Sequence, residues 1–208
     1  MDRALFKPFG PSIFKVKIPK EIIDKLNDYT DKKSKENLDN QNLNAGDKLA
    51  GNVTQEITIE HEFMKESGFG TFLMQESANW IYSSARQKKI KDFKLVGSWI
   101  VRQFQNEYNP IHTHTGHISG VGYLKVPKTL GETKQKDKPN KNGFLQLIHG
   151  SKFFLSDSVF SVKPEVGDFY FFPHYLMHVV YPFCDTNEER RSVSFNAYID
   201  HEIYSSTE

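Results

Sequence analysis

Apolar residues recur with helical spacing in the first half of the chain and with strand spacing in the second half. Ile22, Leu26 and Tyr29 fall on one helical face behind Pro19, which is a favoured first helical residue. A stretch that follows them is polar and has no apolar period, which is typical of a loop. The pattern predicts helices over residues 20–30 and 68–88, separated by a polar loop over residues 31–47.

From residue 93 onward, short β-rich runs alternate with turn residues, and one short strand precedes them. Many short strands after helices are typical of a sandwich or barrel with the helices packed outside it. We therefore expect one domain over residues 1–208, with a supporting region in 1–92 and a β core in 93–200. The predicted strands cover residues 49–59, 95–105, 118–126, 143–148, 152–155, 168–172, 179–181 and 191–199, with a turn at Asn109-Pro110.

Composition excludes several classes of site. The 208 residues carry 27 basic and 26 acidic side chains, a net charge of +1, so no whole-molecule positive field attracts nucleic acid. Cys184 is the only cysteine, which excludes an intramolecular disulfide and a thiolate zinc cage. The sequence shows neither an apolar run of membrane-spanning length nor a secretory signal. We expect a soluble cytoplasmic protein.

The histidines are the first candidates for chemistry. In NPIHTHTGH, His112 and His114 are two residues apart, so on an extended chain both point to the same side and can bind one metal ion. The same spacing also occurs on plain surfaces. His178 follows an aromatic strand that ends at Pro173. It is either a structural residue or a third ligand brought to the pair by the sheet.

A second candidate is the strand RRSVSFNAY, whose polar residues alternate cleanly. Arg190, Ser192, Ser194, Asn196 and Tyr198 share one face. This face is either the wet side of an edge strand or the lining of a cavity. In a cavity, the planar guanidinium of Arg190 and the hydroxyl of Ser192 could hold a carboxylate.

In their order and spacing, the segments NPIHTH, ISGVGYL, GDFYFFPHYLMHVVYP and RRSVSFN resemble the iron(II)- and 2-oxoglutarate-dependent dioxygenases. The best match is the branch of 2-oxoglutarate–iron oxygenases related to prolyl 4-hydroxylases, found in marine bacteria and their phages. The resemblance implies a double-stranded β-helix, which is a cupin-like jelly roll with flanking helices. It further implies iron(II) bound by His112 and His178, and 2-oxoglutarate bound by Arg190, Ser192, Tyr123 and Asn196.

One position departs from the pattern of this family. Most members bind iron through two histidines and one carboxylate, but His114 stands where the aspartate is expected, and no acidic residue lies between Tyr108 and Lys125. We therefore expect a centre of three histidines, His112, His114 and His178. The alternative is that only His112 and His178 bind the metal, with His114 beside it.

The implied function is oxygen-dependent hydroxylation of an unidentified small molecule or peptide, with release of succinate and CO2. A peptidyl proline is suggested by family relatedness alone. Two alternatives remain: a three-histidine cupin-type oxygenase that does not use 2-oxoglutarate, and a non-catalytic jelly-roll binding module. Arg191 is the alternative to Arg190 as the carboxylate anchor. We expect no membrane or nucleic-acid partner, and for a phage protein the compartment would be the cytoplasm of the infected host.

Overall fold

The computed structural model of the protein describes residues 3–6, 10–36, 52–53, 55–85, 87–135 and 137–206. In these residues, strands outnumber helices and form two antiparallel sheets. The strands are β1 Ala4–Phe6, β2 Ile13–Lys17, β3 Gln55–Thr58, β4 Phe93–Gln103, β5 Asn109–His112, β6 Ile118–Lys125, β7 Leu145–Ile148, β8 Val159–Val162, β9 Asp168–Pro173, β10 Met177–Val180 and β11 Arg190–Ile199. The helices are α1 Lys20–Glu36, α2 His61–Glu66, α3 Phe69–Ser84 and α4 His201–Tyr204.

From β4 onward the chain passes back and forth between the two sheets. The large sheet has the order β1-β2-β9-β6-β11-β4-β3, and the small sheet has the order β5-β10-β7-β8. The chain passes from β4 in the large sheet to β5 in the small sheet, returns to β6, and then crosses to β7 and β8 in the small sheet. It continues through β9 in the large sheet and β10 in the small sheet to β11 in the large sheet. This winding is that of a double-stranded β-helix, so the predicted mainly β jelly-roll fold is confirmed.

The two faces of the large sheet have different neighbours. On one face, Phe169 and Phe195 pack in a core with Leu26 of α1 and with Phe72 and Trp80 of α3. The other face turns toward the small sheet, where a second core joins the two sheets. Its buried residues are Ile13, Val121, Tyr123, Leu145, Leu147, Val162, Tyr170, Phe172, Leu176 and Val180. The pocket described below opens on this second face.

Gly122 in strand β6 lies where a side chain of the neighbouring strand β9 fills the space that a Cβ atom would occupy. A Cβ atom at Gly122 would lie 2.3 Å from Cδ2 of Phe169. Real Cβ atoms do not approach another carbon this closely, so any side chain at this position would displace the phenylalanine ring. The absence of a side chain at Gly122 lets the Phe169 ring pack directly against the backbone of β6.

The structure corrects several element predictions. Residues 31–36 continue α1 instead of beginning a loop, because the last turn of a helix needs no apolar stripe and its Lys33 and Lys35 suit the carboxyl-terminal end of the helix dipole. Residues 37–47 of the predicted loop lie outside the described residues. The predicted turn at Asn109-Pro110 is the start of β5.

A second group of corrections concerns short strands. The predicted strand 152–155 is a tight turn in which Leu155 has a φ of 62° and Phe154 is 92% exposed, and the strand of this region is β8. Strands β1 and β2 and helix α2 also escaped prediction. None of the helices in the described part of the chain combines the length and apolar character needed to cross a bilayer.

Candidate metal centre and adjoining pocket

Three histidines meet between the two sheets. His112 on β5 and His178 on β10 are cross-strand partners, and their ring centroids are 4.2 Å apart. His114 lies two residues beyond the end of β5, with its Nε2 atom 3.1 Å from Nε2 of His178. One ring nitrogen from each of the three residues lies within 4.8 Å of the others. The structure therefore brings together all three histidines that the sequence singled out.

Backbone carbonyls orient two of these rings. Nδ1 of His112 lies 2.7 Å from the carbonyl oxygen of Pro110, and Nδ1 of His178 lies 3.0 Å from that of Leu176. A carbonyl oxygen only accepts, so each Nδ1–H donates and each Nε2 keeps its lone pair. This is the arrangement that metal-binding histidines use to fix the tautomer and direct the second nitrogen at the ion.

Burial keeps two of the histidines neutral. Loss of hydration, together with the charges of neighbouring histidines, lowers the pKa of His178 to about 4 and that of His114 to about 3. His178 is only 5% exposed. Neutral imidazole is the form that binds a metal ion, so His114 and His178 need no deprotonation to act as ligands.

The geometry of the cluster fits a divalent transition metal. Two cis nitrogens at about 2.1 Å from a divalent ion lie about 3 Å apart, and the measured separation of Nε2 of His114 from Nε2 of His178 is 3.1 Å. Imidazole ligands suit iron, zinc, copper and nickel. In the described part of the chain, the cluster contains histidines alone and no carboxylate.

A buried arginine faces the pocket beside the histidines. Arg190 is 1% exposed, and its Nη1 donates to Oε1 of Gln103 at 2.5 Å. Its Nε and Nη2 atoms and the hydroxyl of Tyr123 are buried without a hydrogen-bond partner. The guanidinium lies 5.1 Å from the centroid of the Tyr123 ring, and burial lowers the arginine's pKa. Unpaired buried donors around one positive charge form a site for an anion.

Arg191 points to the opposite side of the sheet and has its own partners. Its Nε donates to Oε1 of Glu189 at 2.6 Å, and its Nη2 donates to Oδ1 of Asp31 at 2.5 Å. Nη1 reaches the side chain of Asn27 at 3.0 Å. Of the two adjacent arginines, Arg190 therefore lines the pocket with the histidines, and Arg191 joins β11 to α1.

Comparison with known proteins identifies a family that matches part of the chain. Residues 97–196, which hold β4 to β11 apart from the ends of two strands, match the sequence model of a family described as "Putative 2OG-Fe(II) oxygenase". These residues belong to the 2OG-Fe(II) oxygenase family. The description of this family names iron(II) as the metal and 2-oxoglutarate as the co-substrate, and the cluster of three histidines fits such a metal. A search of curated proteins finds no match to the chain.

Solved structures share the fold of the oxygenase at low sequence identity. A prolyl-4-hydroxylase from Pseudomonas putida is 15% identical, with a TM-score of 0.53 over 88% of this chain and 91% of that chain. AviO1 from Streptomyces viridochromogenes is 14% identical, with a TM-score of 0.55 over 89% and 88%. HygX from Streptomyces hygroscopicus, solved with iron bound, is 8% identical, with a TM-score of 0.53 over 88% and 80%.

The remaining predicted residues of the oxygenase lie at different distances from the pocket. Ser192 and Ser194 line it together with Arg190. Tyr123 is fully buried next to Arg190, and burial raises its pKa. Asn196 is further along β11, where its Oδ1 accepts a hydrogen bond of 2.9 Å from Ser119, and it is not among the described residues that line the pocket.

Sequence reasoning missed one acidic residue in the pocket of the oxygenase. Glu56 on β3 is 1% exposed and lines the same pocket as the histidines. Burial raises its pKa to about 7. The alternation in QEITI indicated this orientation. Ile57 and Ile59 pack in the core between the large sheet and the helices, so Glu56 faces the opposite side of the strand.

Proposed function

We propose that the oxygenase binds iron(II) through His112, His114 and His178 and holds 2-oxoglutarate with Arg190 and Ser192. The observation that carries the proposal is the buried Arg190, which has two unpaired N–H groups beside a cluster of three imidazoles. A dicarboxylate fits this arrangement, because one end can meet the metal while the far carboxylate meets the guanidinium. The hydroxyl of Tyr123 is a further donor for that carboxylate.

Bound iron(II) supplies the centre at which oxygen and 2-oxoglutarate react, giving succinate, CO2 and a hydroxylated substrate. The protein supplies position and surroundings. Arg190 offers two parallel donors that fix the direction of the co-substrate. The Nδ1–H bonds of His112 and His178 to backbone carbonyls hold the ligand nitrogens in place. Trp99 and Phe172 line the pocket and limit the entry of water.

A third neutral ligand changes the charge of the centre. With His114 in place of a carboxylate, the metal site is one unit more positive than the common set of two histidines and one carboxylate. Together with Arg190, this charge favours an anionic co-substrate. The assignment of Asn196 to 2-oxoglutarate stays a prediction, as does the organisation of residues 1–208 as one domain.

For the substrate, we propose C–H hydroxylation, with a peptidyl proline as the first candidate. Support comes from the family match and from the shared fold with the Pseudomonas putida prolyl-4-hydroxylase. Molecular oxygen is the second substrate that the family requires. A three-histidine oxygenase that does not use 2-oxoglutarate is the competing function, since the described cluster contains no carboxylate.

Anaerobic titration of 2-oxoglutarate into the iron(II)-loaded protein tests the proposal. We expect a weak visible charge-transfer band that saturates, and succinate formation once air is admitted. Arg190→Met should raise the half-saturating 2-oxoglutarate concentration about 100-fold, because a charge-assisted two-point contact is lost. The matched control is Lys20→Met, which removes an exposed cation from α1 and should leave the titration unchanged.

Two outcomes contradict the proposal. If wild-type protein gives neither the band nor succinate, 2-oxoglutarate is not the co-substrate and the competing function is favoured. If the band forms normally in Arg190→Met, another group anchors the far carboxylate.

A further inference from the structure

The three histidines are held in place by different means. His112 and His178 lie on paired strands, so the ladder between β5 and β10 fixes both. His114 lies beyond β5, in the irregular segment 113–117 that leads to β6. A ligand on such a segment needs support from outside its own strand, because metal affinity depends on groups that orient each ligand.

His174, in the turn between β9 and β10, supplies this support. The backbone N–H of His114 donates to the carbonyl oxygen of His174 at 3.0 Å. In return, Nδ1 of His174 lies 3.0 Å from the carbonyl oxygen of His114. The backbone N–H of His174 also donates to the carbonyl oxygen of His117 at 3.3 Å. His174 therefore binds segment 113–117 at two points, one of them at His114 itself.

Tyr204 of α4 connects the two sides of this arrangement. Its hydroxyl lies 2.9 Å from Nε2 of His174, and its ring stacks on His117 with centroids 3.8 Å apart and planes 7° from parallel. His117 is itself tied to β11, since its backbone N–H donates to the carbonyl oxygen of Ala197 at 2.9 Å. Tyr204 thus contacts both His174 and the end of the segment that carries His114.

The hydrogen bonds of His174 form a chain with one direction. The carbonyl oxygen of His114 only accepts, so Nδ1 of His174 must carry the proton. Nε2 of the neutral ring is then an acceptor, and the hydroxyl of Tyr204 is the donor that favours this tautomer. We propose that Tyr204, acting through His174, is a positioning residue that holds His114 at the metal centre. This inference rests on the proposed three-histidine centre.

Matched substitutions separate the two ends of the chain. In His174→Asn the amide nitrogen lies where Nδ1 lies, so the donor to His114 is kept and the partner of Tyr204 is lost. In His174→Gln the amide lies where Nε2 lies, so the donor to His114 is lost. Tyr204→Phe keeps the ring that stacks on His117 and removes only the hydroxyl. The control is Tyr175→Phe, which removes the hydroxyl of an exposed neighbouring tyrosine that is not part of the hydrogen bonds from Tyr204 to His114.

Two measurements are needed, and one requires no metal. Nitrogen-15 NMR of the metal-free protein reports the tautomer of His174, and we expect the Nδ1–H form in wild type and a mixture in Tyr204→Phe. Anaerobic competition with a chelator gives the affinity for iron(II) alone. We expect a loss of about tenfold in His174→Gln, about threefold in Tyr204→Phe, and no more than about twofold in His174→Asn or Tyr175→Phe.

Equal iron(II) affinity in wild type, His174→Gln and Tyr204→Phe overturns the inference, as does a wild-type His174 protonated on Nε2. Wild-type protein that binds no iron(II) overturns the proposed metal centre instead. The tautomer measurement then decides separately whether the chain from Tyr204 to His114 exists. Thermal melts of all variants establish that each is folded.

Discussion

The carboxyl group of Glu56 is buried in a pocket whose other ionisable groups are three imidazoles and one arginine. Its pKa of about 7 lies above the value of 4.5 that it has in an unfolded chain. Between these two pH values the Glu56 carboxyl holds a proton in the folded protein that it has lost in the unfolded chain, so the contribution of Glu56 to stability falls as the pH rises from 4.5 to 7.

Glu56→Gln should remove this dependence. We expect the variant to gain about 1–3 kcal/mol over wild type above the folded pKa and to show no gain in mild acid. Urea unfolding of the metal-free protein across this pH range measures the difference, and the exposed Glu62→Gln serves as control. A difference that does not change with pH would show that Glu56 does not titrate in this way.

Residue types and local spacing were sufficient to find part of the site. His112, His114 and the face of Arg190 and Ser192 could be recognised because side chains two apart on a strand share a side. Glu56 could not, because its burial depends on β3 joining β4 at the edge of the large sheet. The chain of Tyr204 and His174 joins segments that are distant in sequence, and no local pattern marks it.

At the scale of elements, β6 shows how tightly the strands are packed. A methyl group at Gly122 would meet the Phe169 ring, whereas one at Gly97 in β4 would meet nothing within 4 Å. We expect Gly122→Ala to lower the free energy of unfolding by about 1–3 kcal/mol, because it overfills a packed core. Gly97→Ala is the matched control in a neighbouring strand of the same sheet and should not be destabilised. Denaturant unfolding of both variants tests this, and equal stability would contradict the close contact.

Elements with a strong internal period were predictable, and elements defined by their partners were not. Residues 68–88 show an apolar stripe that predicted α3, and alternation predicted β11. Strand β5 has no such pattern, since its residues are half-buried or exposed and begin with an Asn-Pro pair that favours a turn. Its strand conformation comes from pairing with β10, which sequence spacing does not reveal.

At the scale of the whole molecule, Arg191 links the helical layer to the sheet. Its guanidinium is buried and binds Asp31 and Asn27 of α1 as well as Glu189. Arg191→Met should lower the free energy of unfolding by about 3 kcal/mol, because the buried guanidinium loses its charge-assisted hydrogen bonds to two carboxylates. Lys20→Met, which breaks an exposed ion pair with Asp24 on the same helix, should cost less than about 1 kcal/mol.

The same Arg191→Met variant should keep its 2-oxoglutarate titration when folded, in contrast to Arg190→Met. Calorimetric unfolding measures the stability, and the visible band measures co-substrate binding. A weakened titration in folded Arg191→Met would show that the two faces of β11 are not independent.

The order of short strands predicted the fold class, but it did not predict how the strands divide into two sheets or where the helices pack. The family resemblance implied a jelly roll, and the structure supplies the seven-stranded and four-stranded sheets with the helices on one side. Strand β2 pairs with β9, and β1 pairs with β2, so both extend the large sheet. Because β2 and β9 are far apart in the sequence, no local pattern predicts this pairing.

The opposite orientation of Arg190 and Arg191 also bears on how this gene can change. Loss or gain of one residue at the start of β11, balanced by the opposite change later in the strand, would shift the strand register there by one position. Arg190 and Arg191 would then each point to the other face of the sheet. A helix-binding cation would then face the histidines, and the anion-binding one would face Asp31. Descendants of this chain should therefore accumulate insertions and deletions outside β11, while length within the strand stays constant.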